Sequence, residues 1–361
     1  MSAVRQFNNS DDANFNADGK LRIALAGNPN CGKTTVFNGY TGARQHVGNY
    51  PGVTVDRKEG HITVGDDQVT LVDLPGTYSL TAYSMEELVA RRELAAGNVQ
   101  AVIDVVDASA LERNMLLTVQ MLEMGAPVVL CCNMMDEARA AGIHIDMERL
   151  GDLLGIPVLP MVARTGEGLN EAMKVAVQLA REGKRNALRI SYGSDIDPVL
   201  LDMEKRIEDA GLLASKYMPH WVALKMLEAD SEILSEVRAA NAELFEELDG
   251  MRKKAMSHVR STLNTNLESI ITDYRYGFIR SLLRDGIVTQ DAGKDRLAIS
   301  DKLDRVLTNA LLGPIIMIGV LYLMFQVTFT LGAYPQGWVE DGFKLLGDAF
   351  TTLLPEGLAQ S

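Results

Sequence analysis

The sequence predicts an α/β domain with a mostly parallel sheet, followed by an all-α region and one apolar segment of membrane-spanning length. In the first half of the chain, short apolar and β-branched runs alternate with longer amphipathic segments. That alternation is typical of parallel strands joined by crossover helices. In the second half only helical periodicity remains, until an uncharged stretch near the C-terminus.

The elements of the first half follow one another in a regular order. The predicted strands cover 21–26, 69–73, 101–106, 127–132 and 157–161. The predicted helices between them cover 34–40, 85–95, 112–124 and 147–154. Residues 57–64, joined by the turn GDDQ to 69–72, predict a hairpin that adds one antiparallel strand to the sheet.

The rest of the chain divides by composition. Helices are predicted over 197–211, 219–229, 232–248 and 251–283, with Gly211, Gly250 and Gly286 as stops. The first 19 residues are rich in Asn and Asp and have no periodicity, which predicts disorder. We therefore expect a disordered tail (1–19), an α/β domain (20–183), a helical domain (184–286), a linker (287–310), a transmembrane helix (311–333) and the start of a membrane domain (334–361).

Composition limits the possible classes of function. With 35 Lys and Arg against 48 Asp and Glu, the formal net charge is −13, so most of the surface would repel a nucleic-acid backbone. Three cysteines cannot form a disulfide framework and lack the spacing of a zinc ribbon. The composition therefore predicts a globular protein of a reducing compartment that does not bind nucleic acid.

The uncharged stretch at 311–333 has the length of a membrane span. Its 23 residues would reach roughly 35 Å as a helix, enough for a hydrocarbon core of about 30 Å. A buried core helix is the alternative interpretation. Four basic residues lie shortly before it, at 294, 296, 302 and 305, and Lys344 alone follows, so the positive-inside rule places the N-terminal part in the cytoplasm. We expect 334–361 to be a loop and a short amphipathic piece, with most of the membrane domain beyond residue 361.

A glycine-rich turn follows the first predicted strand. Its letters, GNPNCGKT from Gly27 to Thr34, match GxxxxGK[ST] and precede a predicted helix. Glycines let backbone N–H groups converge on a β-phosphate, and the helix N-terminus adds a positive dipole end. We expect Lys33 to contact the β- and γ-phosphates and Thr34 to bind Mg²⁺. The predicted nucleotide contacts here are Gly27, Asn28, Asn30, Cys31, Gly32, Lys33, Thr34 and Thr35.

An acid and a glycine follow the next strand but one. Asp73-Leu74-Pro75-Gly76 has the pattern DxxG, in which the acid can hold a Mg²⁺-bound water and the glycine N–H can reach a γ-phosphate. Alone, this pattern is common turn chemistry. Its position after a phosphate-binding turn makes Asp73 and Gly76 candidate nucleotide residues.

Two further strand ends carry residues suited to reading a base. In Asn133-Met134-Met135-Asp136, the aspartate can accept both N1–H and N2–H₂ of guanine, a contact that adenine cannot match. An Asx N-cap is the alternative for this tetrad in isolation. Val162-Ala163-Arg164 closes the next strand, where the Ala163 N–H can meet guanine O6. We expect base contacts from Asn133, Met134, Asp136, Val162, Ala163 and Arg164.

These four signals, in this order on an α/β pattern, specify a GTP-binding domain. The segment 48–55 lies between the first two and has one placed hydroxyl, so we interpret it as a mobile switch loop that closes on Mg²⁺ through Thr54. Lys33, Thr54 and Gly76 are the expected catalytic contacts. Thr77 stands where small GTPases that position water with glutamine carry that residue, so hydrolysis should be slow. Met134 replaces the lysine of NKxD, which should weaken affinity and speed exchange.

The chain resembles the bacterial ferrous iron transport protein B family. The strings that carry the resemblance are GNPNCGKTTVFNGYTG, VGNYPGVTVDRKEG, LVDLPGTYSL, DVVDASALERN and SDKLDRVLTNALLGPIIM. The resemblance implies a GTPase domain of Ras-like fold, a helical domain that inhibits nucleotide release, and a polytopic domain that carries Fe²⁺ inward across the bacterial inner membrane. It also implies that Asn30 contributes to a K⁺ site beside the phosphates, with a part in catalysis and K⁺-stimulated hydrolysis.

Three classes of function remain distinguishable. The leading hypothesis is a GTPase that controls Fe²⁺ uptake, with small accessory iron-transport proteins and a homo-oligomer as possible partners. The second is a membrane-tethered regulatory GTPase that acts through protein interactions. The third, a P-loop kinase or ATPase, would prefer ATP, which Asp136 argues against.

Overall fold

The computed structural model describes residues 5–7, 20–42, 45–50, 53–81, 83–183, 185–284, 286–291, 306–309 and 312–353. The chain divides into two compact units, Met1–Asp291 and Ala292–Ser361. The first unit contains both the α/β domain and the helical domain.

Within the described residues, strands and helices are interspersed as far as residue 187, and helices predominate beyond it. The strands are β1 (Arg5–Phe7), β2 (Leu21–Gly27), β3 (Gln45–Asn49), β4 (Asp56–Val64), β5 (Asp67–Asp73), β6 (Ala101–Asp107), β7 (Val128–Asn133), β8 (Ile143–Ile145), β9 (Val158–Pro160), β10 (Arg185–Ala187) and β11 (Val288–Gln290). The helices are α1 (Lys33–Thr41), α2 (Met85–Ala95), α3 (Leu111–Glu123), α4 (Met135–Ala140), α5 (Met147–Leu154), α6 (Leu169–Glu182), α7 (Asp197–Asp209), α8 (Pro219–Leu227), α9 (Ser231–Ala240), α10 (Ala242–Leu263), α11 (Leu267–Leu283) and α12 (Leu312–Leu353).

The α/β domain is built on a seven-stranded sheet of order β3-β4-β5-β2-β6-β7-β9. Strands β5, β2, β6, β7 and β9 are parallel, and β3 and β4 add an antiparallel edge. The predicted fold class and the predicted hairpin are thus confirmed. Because the carboxyl ends of parallel strands share one edge of a sheet, the loops after β2, β5, β7 and β9 meet there.

The central strand β6 is buried on both faces, as is typical of a parallel sheet covered by helices. Val102 and Val106 pack into one apolar core that continues into the helical domain. Ile103 and Val105 pack into a second core with Phe37 of α1 and residues of α6. The helices on the first face therefore join the two domains into one unit.

The helical domain differs from its prediction in where the helices divide. Gly211 follows α7 with φ 58°, as expected of a stop, but Gly250 lies inside α10. The divisions occur instead at Asn241, whose side chain accepts from Leu244 N (3.0 Å), and at Asn266, which accepts from Ser269 N (2.8 Å). Asparagine caps satisfy the free N–H groups of a first turn, which a glycine cannot do.

Three short strands correct the predicted boundaries. β1 pairs with β10, so part of the expected disordered tail is ordered as a strand, and the rest of that tail before residue 20 lies outside the described residues. β11 pairs with β8, so the expected linker 287–310 begins as part of the α/β domain. Strands β10 and β11 also follow residue 183, where only helices were predicted. Pairing between distant segments supplies the order, and no local periodicity reveals it.

The second unit contains α12. Its segment Leu312–Thr330 has mean hydropathy 1.9 and is long and apolar enough to cross a membrane. Residue 311 and residues 354–361 lie outside the described part of the chain. The helix continues through Pro335 to Leu353, where we expected a loop and a short amphipathic piece. Proline removes one donor and often kinks a helix, but here it does not end it.

Candidate nucleotide-binding site

The phosphate-binding turn joins the end of β2 to the start of α1. Gly27 has φ 151°, and a Cβ there would lie 2.4 Å from the Val105 carbonyl oxygen. Gly32 has φ 89°, and a Cβ there would lie 2.3 Å from Asn133 Nδ2. No side chain fits at either position, so the glycines are required for the path of this turn.

The side chains of this turn fall into two groups. Asn30, with φ 67°, and the hydroxyl-bearing Thr34 and Thr35 are exposed at the mouth of the turn. The side chain of Asn28 is buried, and neither of its polar atoms has a hydrogen-bond partner within the described residues. Burial raises the pKa of the Cys31 thiol to about 12, so this cysteine is an unreactive packing residue.

The structure brings the phosphate-binding turn Gly27–Thr34, or P-loop, together with the DxxG motif. Lys33 Nζ contacts the Asp73 carboxylate and donates to the Leu74 carbonyl oxygen at 2.6 Å. A Cβ on Gly76 would lie 3.6 Å from Pro29 Cα, so Gly76 faces the turn directly. These are the predicted phosphate and Mg²⁺ residues, and they share one edge of the sheet.

Asn133 connects the loops after β7 and β9, which carry the predicted base contacts, to the P-loop. Its Nδ2 donates to the Cys31 carbonyl oxygen at 2.9 Å, and its Oδ1 accepts from Ala163 N at 2.9 Å. The Ala163 amide, predicted to meet guanine O6, therefore donates to Asn133 in this structure. Val162 is held by a backbone bridge to Glu167.

Asp136 lies near the start of α4, after Met134 at φ 60°. Its carboxylate accepts from Arg164 Nη2 at 3.0 Å, and the Arg164 side chain is 83% exposed. The acid predicted to read guanine is therefore paired with an arginine from the next loop. Because that arginine is exposed, the pair is weak and easily exchanged.

Thr54 is the predicted site residue that the structure does not bring into the cluster. Its side chain is exposed in the turn between β3 and β4. A hydrogen bond from Tyr50 N to Val55 O (2.9 Å) closes this turn. Part of the segment expected to be a mobile loop is the strand β3, and residues 51–52 lie outside the described residues. Cross-strand pairing with β4 holds it at the sheet edge, which is a correction to the loop prediction.

Sequence reasoning missed Asp104, on β6 beside the strand that leads into the P-loop. Its Oδ2 accepts from Thr118 Oγ1 at 2.6 Å, its Oδ1 has no partner among the described residues, and burial raises the pKa of this carboxyl to about 7. An acid inside the apolar run AVIDVV was the available signal.

The residues present fit a magnesium nucleotide. Thr34 and Asp73 offer hydroxyl and carboxylate oxygens, the ligands that Mg²⁺ prefers. The turn excludes side chains where phosphates would approach, and the Asn28 carboxamide lacks a partner. Asn30 offers an exposed amide oxygen for a K⁺ ion. Among the described residues, no group of three or more His, Cys, Asp or Glu side chains forms a metal-binding cluster.

The strand order and the P-loop at the edge of the sheet, with the loops after β7 and β9 beside it, define a P-loop GTPase fold. Residues 21–176 match the family described as ferrous iron transport protein B, and residues 192–288 match the FeoB cytosolic helical domain. The chain belongs to the ferrous iron transport protein B family, as its sequence resemblance predicted.

Two curated relatives illustrate the similarity. The chain is 40% identical over 343 residues to the Fe(2+) transport protein A/Fe(2+) transporter FeoB fusion protein of Porphyromonas gingivalis, covering 93% of this chain and 40% of that protein. It is 37% identical over 334 residues to the Fe(2+) transporter FeoB of Salmonella typhi, and the match covers 90% of this chain and 40% of that protein. The chain thus spans about 40% of the length of these relatives.

Solved structures agree with the fold. A GDP-bound point mutant of the S. thermophilus FeoB G-domain superposes with a TM-score of 0.66 at 31% identity, covering 74% of this chain and 99% of that one. The apo cytosolic domain of the T. maritima FeoB iron transporter superposes with a TM-score of 0.63 at 32% identity, covering 75% of this chain and 100% of that one.

Proposed function

We propose that residues 20–183 bind GTP and GDP with Mg²⁺ and hydrolyse GTP, and that this activity controls Fe²⁺ uptake across the bacterial inner membrane. The observation that carries the proposal is the meeting of Lys33, Asp73 and Gly76 beside the P-loop. Asn133 ties the base-reading loops to the same turn, so phosphate and purine contacts belong to one pocket.

The binding steps follow from the groups present. Lys33 leaves Asp73 to contact the β- and γ-phosphates, and Asp73 with Thr34 is then free to hold Mg²⁺, which would neutralise phosphate charge. Gly76 N–H reaches the γ-phosphate, and Asp136 exchanges Arg164 for the guanine N1–H and N2–H₂. Thr54, in the turn between β3 and β4, would supply a further hydroxyl oxygen to Mg²⁺. The remaining base contacts come from Met134, Val162 and Ala163.

Hydrolysis by this site is slow and is stimulated by K⁺. Thr77 is buried and too short to orient a water as glutamine does. Asn30 would supply an oxygen to a K⁺ ion, which would provide the positive charge that an arginine gives in other GTPases. Family membership and the exposed position of Asn30 at the turn support both properties.

The iron-transport part of the proposal rests on the relatives, which are named as Fe²⁺ transporters. The segment Leu312–Thr330 of α12 spans the inner membrane, and the GTPase and helical domains lie in the cytoplasm. The helical domain restrains nucleotide release and transmits the nucleotide state. Accessory iron-transport proteins and a homo-oligomer are compatible partners.

Rates of GTP hydrolysis by the 361-residue chain in detergent, in K⁺ or in Na⁺ buffer, test the site. We expect K⁺ to accelerate hydrolysis in the wild type and not in Asn30→Ala, with GDP but not ADP displacing a fluorescent GDP analogue. Stimulation that survives Asn30→Ala would contradict the cation role, and ADP competition would indicate an ATPase.

Iron uptake by the full-length transporter with Lys33→Ala then tests coupling between GTP hydrolysis and transport. Uptake that persists unchanged would favour the regulatory GTPase.

A further inference from the structure

The C-terminal half of α10 carries positive charge in a protein that is acidic as a whole. Residues 250–267 contain four Lys or Arg residues and no Asp or Glu, whereas the whole chain has a formal net charge of −13. The four acids of this helix lie in its first half, at Glu243, Glu246, Glu247 and Asp249. Basic residues late in a helix suit its dipole, but the dipole gives no reason for apolar side chains exposed among them.

Two of these cations and two large apolar side chains form one stripe along the helix. The α10 stripe consists of Lys253, Met256, Arg260 and Leu263. Their spacing of i, i+3, i+7 and i+10 places them within an arc of about 80° and over a length of about 15 Å. All four side chains are exposed, Met256 to 40% and Leu263 to 50%. Cation and apolar side chain therefore alternate along one solvent-facing strip.

The same half of α10 is anchored to the helical domain through other residues. Ala255 and Val259 are buried and pack into the core that the α/β and helical domains share. The stripe makes no contribution to that core, so its apolar side chains are exposed without a packing role in the described part of the chain.

Both cations of the stripe can reach an external anion. Arg260 forms no ion pair among the described residues. Lys253 Nζ lies 2.7 Å from Asp249 Oδ2, but Asp249 also contacts Arg252. Because Arg252 would continue to neutralise Asp249, Lys253 can turn outward without leaving that carboxylate unpaired.

We propose that the α10 stripe binds the surface of an anionic lipid bilayer. Met256 and Leu263 enter the headgroup region, and Lys253 and Arg260 pair with lipid phosphates. Helices that lie on bilayers combine apolar contact with basic residues in this way, and long basic side chains keep their charge at the surface while their stems lie beside apolar neighbours. The inference rests on the proposed membrane location, which Leu312–Thr330 supports, and not on nucleotide binding.

The composition of the stripe favours lipid over an acidic protein partner. Protein interfaces are centred on buried aromatic anchors and are depleted in lysine, whereas the stripe has a lysine and no aromatic residue. The net charge of −13 makes an anionic surface repel most of this protein. The acid-free half of α10 is therefore favoured as the point of contact.

The test uses the 361-residue chain in lipid nanodiscs, either neutral phosphatidylcholine discs or discs with added phosphatidylglycerol. Ser257→Cys, at an exposed position beside the stripe, carries a fluorophore that a spin-labelled lipid headgroup quenches at close range. The native cysteines are buried and do not compete for the label. We expect quenching to be at least about threefold stronger in anionic discs. Equal quenching in both kinds of disc would overturn the proposal and favour an acidic protein as the partner.

A matched pair of double variants separates the stripe from net charge. Lys253→Gln with Arg260→Gln should reduce quenching in anionic discs to the level of neutral discs. Lys174→Gln with Arg181→Gln removes the same two residue types at the same spacing from the exposed face of α6, where Arg181 is paired with Asp67 as Lys253 is with Asp249. This control should change quenching less than about 1.5-fold. Equal losses in the two double variants would overturn the proposal.

Met256→Ser with Leu263→Ser tests the apolar contact while keeping both charges. Both side chains are exposed, so the protein should fold, and quenching in anionic discs should fall by at least about twofold. Unchanged quenching would contradict their entry into the headgroup region. A chain that does not enter discs at all would refute the proposed membrane location and this inference with it, whereas GTP binding by the same sample would remain measurable.

Discussion

The ammonium of Lys33 is paired with the carboxylate of Asp73. The cation suited to a phosphate and the acid suited to Mg²⁺ therefore neutralise each other across the mouth of the P-loop. Both side chains are about 10% exposed, so a ligand that separates them must supply compensating charges. The proposed magnesium nucleotide would do so, since its phosphates would pair with the lysine and its metal with the acid.

Asp73→Asn tests this exchange. We expect GDP binding without Mg²⁺ to be retained or tightened, because Lys33 is no longer held by an anion, and the gain in affinity on adding Mg²⁺ to fall by at least about tenfold. Titration of a fluorescent GDP analogue with Mg²⁺ or with EDTA measures both. Lys33→Ala is the matched comparison and should lose binding under both conditions. An undiminished Mg²⁺ effect in Asp73→Asn would contradict the assignment.

Asp136→Asn tests base recognition. The side-chain NH₂ of an asparagine can donate to the C2 carbonyl of xanthine, but it faces another donor in the guanine amino group. Affinity for GDP should therefore fall by about 10²-fold or more, and xanthosine diphosphate should be preferred. Calorimetric titration with both nucleotides measures the change. Arg164→Gln removes only the exposed partner of Asp136 and should change GDP affinity less than about fivefold. Retained guanine preference in Asp136→Asn would show that the base is read elsewhere.

Gly76→Ala separates folding from recognition of the γ-phosphate. A Cβ here meets only ordinary contacts, the nearest at 3.6 Å, so the protein should fold and bind GDP within about threefold of wild type. GTP hydrolysis should fall by about tenfold or more, because the methyl group occupies the space between Gly76 and the P-loop. Single-turnover hydrolysis measures this loss. Gly250→Ala, inside α10 with open space around it, is the control and should be slightly stabilising.

Asp104→Asn tests the buried acid. The folded pKa of about 7 lies above the unfolded value, so ionisation of Asp104 lowers stability as pH rises from about 4 to 7 and adds no further change above that. The difference in unfolding free energy between the asparagine variant and the wild type should therefore increase in favour of the variant by about 2 kcal/mol from pH 5 to pH 8. Denaturant unfolding at both pH values measures the gain. Asp66→Asn, an exposed acid in the β4–β5 turn, should show no such difference, and a pH-independent gain for Asp104→Asn would contradict the raised pKa.

The candidate nucleotide residues are predicted from sequence because each motif is local, and the structure brings Lys33, Asp73 and Gly76 together as that prediction requires. The P-loop needs glycine where a Cβ would meet Val105 or Asn133, and DxxG needs an acid at a strand end. The residues of each motif lie close together in the chain, so their spacing reveals them, although the atoms of Val105 and Asn133 that exclude a Cβ come from distant strands. The same holds for the strands of the parallel sheet, whose apolar runs are continuous.

Contacts between distant residues were decided by the tertiary structure. The pairing of β11 with β8, the donation from Ala163 to Asn133 and the burial of Arg91 against Asp230 join residues between 30 and more than 130 positions apart. A charged residue at position 91 looks like any solvated helix position until the helical domain covers it. Periodicity describes one segment at a time, whereas partners for buried charges and free strand edges are chosen only when the segments pack together.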